Sequence, residues 1–336
     1  MRAAILKAPG ELAIGDAATP RPAEAEILVK VAIAGVCAGD LYLYQGKNPY
    51  ALYPQICGHE MAGTVIESGP GVSGFRAGEP VVVEPFIGCG SCYSCSIGKP
   101  NCCPRLTILG VNRAGGYAEY VTAPVKNIHR VPSGLDLKAA ALAEPIAIGV
   151  QACRRGQVAA GEMVLVLGCG PIGLAIIEIA RVRGARVLAA DLLPERLKAA
   201  EMLGAEVLAA DSELASKVNA ITSGQGAPVV IEATGSRQAM ESTIELVAAG
   251  GRIVIVGLVT DGRAVSFPGL DLTRKEPTIL GSRASVDCFP ESLKLLSEGK
   301  IRFSRLATEF SLWDAPAVFA ELQSSPTSLQ KVLLVA

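Results

Sequence analysis

Histidine is scarce in this chain: among 336 residues there are two, His59 and His129, so any imidazole chemistry must use one of them. Long apolar runs are missing as well. The longest, such as Met163–Leu167, are about five residues, against the roughly 20 needed to span a bilayer as a helix. Neither sign of charge dominates, with 31 basic and 32 acidic residues, so nothing electrostatic points to nucleic acid or an anionic membrane surface as partner. The opening MRAAILKAPGELAIG alternates like a strand and lacks the basic stretch, apolar core and small-residue cleavage site of a secretory leader. A soluble cytoplasmic protein is the expectation.

Cysteine, by contrast, is plentiful at ten residues. In a large chain from a reducing compartment, clustered cysteines more often bind metal than form a disulfide framework. The length exceeds one compact core, so two domains are expected. Residues 1–150 carry short strand-like runs punctuated by Gly and Pro: Ile27–Ala34, Gly63–Glu67, Val81–Val83 and Tyr117–Val121. They read as a β-rich domain. From about Val150 strands alternate with amphipathic helical stretches: Met163–Leu167, Arg186–Ala190, Glu206–Leu208, Val229–Ile231, Arg252–Val256 and Thr278–Leu280. That rhythm predicts a parallel, doubly wound α/β sheet. A helical stretch, Pro290–Glu298, then leads to a tail ending in Lys331–Val335, which could return to the first domain and make it discontinuous. No repeat, low-complexity segment or long linker interrupts this plan.

The run Met163-Val-Leu-Val-Leu-Gly168-Cys-Gly170-Pro171-Ile172-Gly173 is a buried strand entering a G-x-G-x-x-G turn, and a second strand ends at Asp191, 18 residues beyond Gly173. Each part has a physical task. Gly168 permits the tight turn, Gly170 lets backbone approach a pyrophosphate, the helix opened by Pro171 and Ile172 stabilises its negative charge, and Gly173 allows close helix–strand packing. Asp191 can accept from a ribose diol and would repel a 2′-phosphate. Arg196, five residues on, is a second candidate for the cofactor or else a solvent-facing helix residue. Glycine turns alone are common; the ordered set of strand, glycines, helix, second strand and acid is not.

Cys89, Cys92 and Cys95 at x2 spacing, followed by Cys102 and Cys103, can supply four thiolates to a closed, structural zinc site, with a disulfide pair or an iron–sulfur cluster as rivals. A nucleic-acid-binding zinc ribbon is disfavoured, since Ser91–Pro100 has one basic residue and no aromatic stacking run. A dispersed second group, Cys37, His59, Glu60 and Glu144, offers thiolate, imidazole and carboxylate, a set that suits zinc with an open coordination position. Singly, each has a structural reading: buried thiol, satisfied core histidine, helix-terminus acid.

Gly58-His59-Glu60-Met-Ala-Gly63, continuing to Gly69 and Val72, together with the cysteine lobe and the later nucleotide turn, resembles the zinc-containing medium-chain dehydrogenase/reductase family over essentially the whole chain. Ala143-Glu144-Pro145 and Gly281-Ser282-Arg283 are similar to its sorbitol and galactonate dehydrogenase branch, with threonine and butanediol dehydrogenases also similar. The resemblance implies a GroES-like β domain formed by residues 1–150 and 285–336 and a Rossmann domain of residues 151–284. It implies two zinc ions per chain. One would lie on Cys89, Cys92, Cys95 and Cys103; the other on Cys37 and His59, with Glu60 and Glu144 competing for the remaining protein position. NAD is expected over NADP, on Gly168, Gly170, Pro171, Ile172, Gly173, Asp191 and Arg196, and homodimers or homotetramers are expected by analogy.

One departure matters. The family usually carries Ser or Thr two residues after the zinc cysteine and often His at the fifth position; here these are Gly39 and Tyr42. A water beside Glu60, Tyr42 or Tyr44 could move the proton instead. Asp40 is expected to be structural. Arg283, Arg113 and Lys47 are candidate cations around a hydrophilic substrate, with surface charge the simpler reading for the last two. The resulting expectation is oxidation of a secondary hydroxyl of a polyol or sugar acid to a ketone. A threonine- or butanediol-type dehydrogenase is the alternative, and a non-catalytic NAD-binding zinc protein the alternative of another class.

Overall fold

The computed structural model describes residues 1–48, 51–259, 262–325 and 329–336. It forms two units, Met1–Glu144 with Ser285–Lys300 and Ser304–Ala336, and Pro145–Ala284 with Ile301–Phe303.

The first unit is built on the long strand Glu26–Val36, which pairs antiparallel with Glu60–Ser68, Tyr120–Pro124 and the C-terminal strand Lys331–Val335. The sheet continues through Pro80–Val83 to Ile128–Arg130 on one side and to Ala307–Ser311 on the other. Its core gathers β-branched side chains such as Val29, Val31, Val81, Val83 and Val121, all nearly inaccessible, the residue types that pack well on a pleated surface. The C-terminal strand therefore belongs physically to the N-terminal unit. The expected strand Tyr117–Val121 is displaced: it runs Tyr120–Pro124. Gly115, Gly116 and Tyr117 instead donate their N–H groups to Ile56, Gly58 and Cys57, which commits them to the loop holding His59.

The second unit carries six parallel strands in the spatial order Glu206–Ala209, Arg186–Asp191, Met163–Leu167, Ala227–Glu232, Val247–Ile255, Thr278–Gly281. Numbered within the unit this is 3-2-1-4-5-6, the dinucleotide-binding order, whose ligands lie at the carboxyl ends of the strands. Its boundaries differ from those expected. Residues 145–150 join it because the helix Ala143–Arg155 runs unbroken past 150. Residues 301–303 join it because the buried Glu178 carboxylate accepts the N–H groups of Arg302 at 2.7 Å and Phe303 at 2.8 Å. All ten cysteines are free thiols, and no helix among the described residues is long and apolar enough to cross a membrane.

Candidate active site

Cys37 follows the central strand of the first unit, Glu26–Val36, and caps the helix Ala38–Tyr44. Its Sγ accepts the Gly39 N–H at 3.4 Å, and its own N–H donates to Asp40 Oδ2 at 3.0 Å. The buried Asp40 carboxylate also accepts the Gly58 N–H at 3.2 Å and the Tyr117 hydroxyl at 2.8 Å. One carboxylate thus ties the Cys37 turn to the His59 loop, the structural part expected of it. A Cβ at Gly58 would strike the Tyr117 ring at 2.5 Å, so only glycine lets that loop lie so close.

His59 Nδ1 lies 3.4 Å from Asp40 Oδ1, too long and too poorly aligned to count as a full hydrogen bond. The contact is nonetheless electrostatically favourable. Burial opposes the charged ring, but the Asp40 carboxylate and then Cys37 outweigh it and hold the imidazole well above its ordinary pKa when no metal is present. The ligand atoms of Cys37, His59 and Glu60 all lie within 4.8 Å of one another. Thiolate, imidazole and carboxylate at that separation fit a zinc ion with an open position, and Asp40 behind the ring is the partner that metal-binding histidines commonly use.

Glu60 opens the strand Glu60–Ser68, and its carboxylate forms a fully buried ion pair with Lys331. The Lys331 ammonium also donates to the Val36 carbonyl at 2.9 Å. A Cβ at residue 35 would collide with Glu60 Oε2, so Gly35 makes room for this pair. Glu144, in the first turn of Ala143–Arg155, is buried but lies outside the Cys37–His59–Glu60 cluster. Burial, reinforced by Glu60 and Asp40 against the opposing His59 and Lys331, pushes its carboxyl up to about 8. The geometry therefore favours Glu60 over Glu144 as the neighbour of Cys37 and His59.

The four sulfurs of Cys89, Cys92, Cys95 and Cys103 also lie within 4.8 Å of one another, whereas Cys102 is exposed and outside the group. The Ser91 N–H, the Cys103 thiol and the Arg105 guanidinium draw the Cys89 thiol down to about 5, while burial and the neighbouring sulfurs push Cys95 up to about 11. Four like groups cannot all ionise without a cation among them, and a zinc ion supplies that cation with no open position.

In the second unit Gly168 adopts φ +94° at the end of Met163–Leu167, and a Cβ there would meet Thr234 Cγ2 at 2.7 Å. A Cβ on Gly173 would collide with the Gly168 carbonyl, while one on Gly170 would meet nothing within 4 Å. Gly168 and Gly173 are thus packing glycines, and Gly170 faces the open space a pyrophosphate would need. Pro171 and Ile172 begin the helix Pro171–Val182, whose cap is Gly170. Asp191 Oδ2 accepts the Cys169 N–H at 2.7 Å and Oδ1 accepts the Leu193 N–H at 3.0 Å, and Arg196 stands 3.8 Å from the same carboxylate.

The structure corrects two expected roles, those of Arg113 and Tyr44, and places Tyr42, Lys47 and Arg283. Arg113 is no substrate cation: it makes a two-pronged pair with Glu26 at 2.7 and 3.1 Å and donates to Thr122, bracing two paired strands. Tyr44 is 7% exposed and packs edge-on against Phe319, so its ring is core rather than a substrate or proton-relay group. Tyr42, on the other side of the same short helix, is 40% exposed and Lys47 is also exposed. Arg283 follows the strand Thr278–Gly281 in the second unit and is exposed. A Cβ at Gly39 would sit 3.7 Å from His59 Cε1 and 3.8 Å from Cys37 Sγ, so a hydroxyl-bearing side chain would fit there, but this chain has none. Sequence reasoning missed Lys331 and Tyr117. Lys331 starts an apolar strand, KVLLV, buried at each of its first four positions, and no alternation in the sequence marks the lysine as pointing inward.

Residues 23–133 match the family model for the alcohol dehydrogenase GroES-like domain, and residues 171–298 that for zinc-binding dehydrogenases. The chain is 37% identical over 312 residues to the L-galactonate-5-dehydrogenase of Escherichia coli (strain K12), covering 92% of this chain and 91% of that protein. A solved structure described as a short chain alcohol dehydrogenase from E. coli CFT073, complexed with NADH, superposes with a TM-score of 0.94 at 33% identity, covering 100% of this chain and 99% of that one. A Sinorhizobium meliloti 1021 protein assigned as a zinc-binding dehydrogenase and bound to NADP gives 0.92 at 31% identity, covering 100% and 99%. With both family domains in place around these residues, the chain belongs to the zinc-containing medium-chain alcohol dehydrogenase family, in the branch that holds the galactonate dehydrogenase.

Proposed function

We propose that this dehydrogenase oxidises a secondary hydroxyl of a polyol or sugar acid to a ketone, with NAD as acceptor and two zinc ions per chain. The observation that carries the reading is the Cys37–His59–Glu60 cluster within 4.8 Å, in a chain that also folds the glycine turn and Asp191. When bound, zinc supplies Lewis acidity toward the substrate oxygen and the nicotinamide supplies the hydride acceptor. The protein's own groups do the rest. Asp40 favours the proton on His59 Nδ1 and so leaves Nε2 free as a ligand atom. Lys331 balances the charge of Glu60. With glycine at 39 and the Tyr44 ring in the core, the exposed Tyr42 hydroxyl or a water beside Glu60 is left to pass the alcohol proton to solvent. Arg283 offers a two-pronged donor for a substrate hydroxyl or carboxylate. The edge strand Thr278–Gly281, little buried on either face, is the surface we assign to pairing in a dimer or tetramer; a light-scattering mass of one chain would contradict that assignment.

A spectrophotometric screen of NADH formation over polyols, aldonates, butanediol and threonine tests the activity. Turnover of polyols or aldonates is expected. Turnover of threonine alone would select the amino-alcohol reading, and tight NAD binding without any turnover would select a non-catalytic one.

Cofactor choice is tested at Asp191. Asp191→Asn keeps one of the two oxygens that accept the Cys169 and Leu193 amides and removes the charge that repels a 2′-phosphate and engages Arg196. The ratio of kcat/KM for NADP over NAD is expected to rise about tenfold or more. An unchanged ratio would remove Asp191 from the ribose site.

A further inference from the structure

Glu232 ends the strand Ala227–Glu232, next to Leu167 in register, and is completely inaccessible. A buried acid at the carboxyl edge of a parallel sheet is costly unless it organises something. Its Oε1 accepts the Thr234 N–H at 2.6 Å, the Gly235 N–H at 3.0 Å and the Thr234 hydroxyl. Its backbone carbonyl accepts the Val256 N–H at 2.9 Å and the Gly257 N–H at 3.2 Å. Among the described residues its Oε2 has no hydrogen-bond partner, and it lies against Gly257, where a Cβ would come within 2.6 Å of it.

Three turns meet at this residue. The Gly168 turn packs on Thr234, Gly235 packs on the Leu258 backbone, and Gly257 packs on Gly235. The contacts are largely backbone on backbone, so little in the stack can adjust if one turn moves. The Glu232 carboxylate bonds within it.

We propose that Glu232 is the positioning residue of the dinucleotide site, fixing the turns after the first, fourth and fifth strands of the parallel sheet as one surface for the cofactor. The inference rests on the proposed reading of the glycine turn as a dinucleotide site. Burial favours the neutral carboxyl, which a glutamine imitates in shape and in its ability to accept from Thr234 and Gly235. An alanine leaves those three donors without their acceptor.

The test is a fluorescence titration of the full-length zinc-loaded protein with NADH, alongside steady-state kinetics. Glu232→Gln is expected to bind NADH within about threefold of the parent. Glu232→Ala is expected to raise the Kd for NADH and the KM for NAD about tenfold, with zinc content and the KM for the alcohol unchanged. Thr234→Val, which keeps the shape and removes one donor, is expected to weaken NADH binding about threefold and stands in if the alanine variant does not fold. Parent-like Kd in Glu232→Ala, or in Thr234→Val where the former is unfolded, overturns the proposal while leaving the cofactor site intact. A parent protein that binds no NADH overturns the dinucleotide reading and this proposal with it.

Discussion

Lys331→Met is expected to destabilise the zinc-stripped protein by about 3–5 kcal/mol, the usual consequence of leaving one member of a buried ion pair alone. The Lys331 side chain is fully inaccessible, and its ammonium has the Glu60 carboxylate and the Val36 carbonyl as partners. Methionine fills similar volume, so the loss is one of charge compensation rather than of packing. A zinc ion on Cys37, His59 and Glu60 would bring a replacement cation to the stranded carboxylate. The deficit should therefore shrink as zinc is restored, beyond the general stabilisation any ligand gives the folded state. The only tryptophan, Trp313, lies in the same unit, so its fluorescence during urea unfolding reports on the right part of the chain. Glu60→Gln combined with Lys331→Met should cost clearly less than the two single changes summed. A parent-like urea midpoint for stripped Lys331→Met would show that the pair contributes nothing.

Cys37→Ser is expected to lose the zinc of the dispersed site and about a thousandfold in kcat/KM. A serine hydroxyl is a much poorer zinc ligand than a cysteine sulfur, and the substitution also removes the sulfur to which the Gly39 N–H points. Removing Lewis-acid stabilisation worth roughly 4 kcal/mol corresponds to that factor. The zinc content should fall from two ions per chain to one, because the lobe of Cys89, Cys92, Cys95 and Cys103 contains none of the altered residues. NADH affinity should be preserved, since the glycine turn lies in the other unit. Full alcohol oxidation by Cys37→Ser would sink the proposed mechanism, and retention of both zinc ions would sink the ligand assignment.

The features legible in the sequence share one property: their parts are close in the chain. The nucleotide turn, its helix and Asp191 fall within one β-α-β stretch, and the four-cysteine lobe closes within 15 residues, from Cys89 to Cys103. Local spacing carries their geometry. Arg113 and Tyr44 depart from their expected roles for the opposite reason. The Arg113 partner Glu26 is 87 positions away, and the Tyr44 partner Phe319 comes from a helix near the C-terminus. No pattern of neighbouring residues distinguishes a cation or a phenol paired at such range from one facing a substrate. The strand begins at Tyr120 rather than Tyr117 for a similar reason: the N–H groups of Gly115, Gly116 and Tyr117 go to the His59 loop, and the Tyr117 and Glu119 carbonyls are shared between Ala4 and Val31 of two different strands.

The scarcity of histidine shows where the two sources of information divide. The sequence by itself determined that imidazole chemistry falls to His59 or His129, that a doubly wound sheet carries a G-x-G-x-x-G turn, and that four cysteines stand at metal-ligand spacing. Those conclusions follow from composition and from periodicities of two and 3.6 residues, which act over a few turns of chain. Only the tertiary structure decided that Asp40 stands behind His59, that His129 instead pairs with Glu84 at 2.9 Å, and that Glu60 rather than Glu144 neighbours Cys37. It alone brought Lys331 to Glu60, across a loop whose ends, Val36 and Lys331, are 295 residues apart. Contacts of that span are set by the packing of whole sheets, in which burial makes an unpaired charge too costly to leave alone.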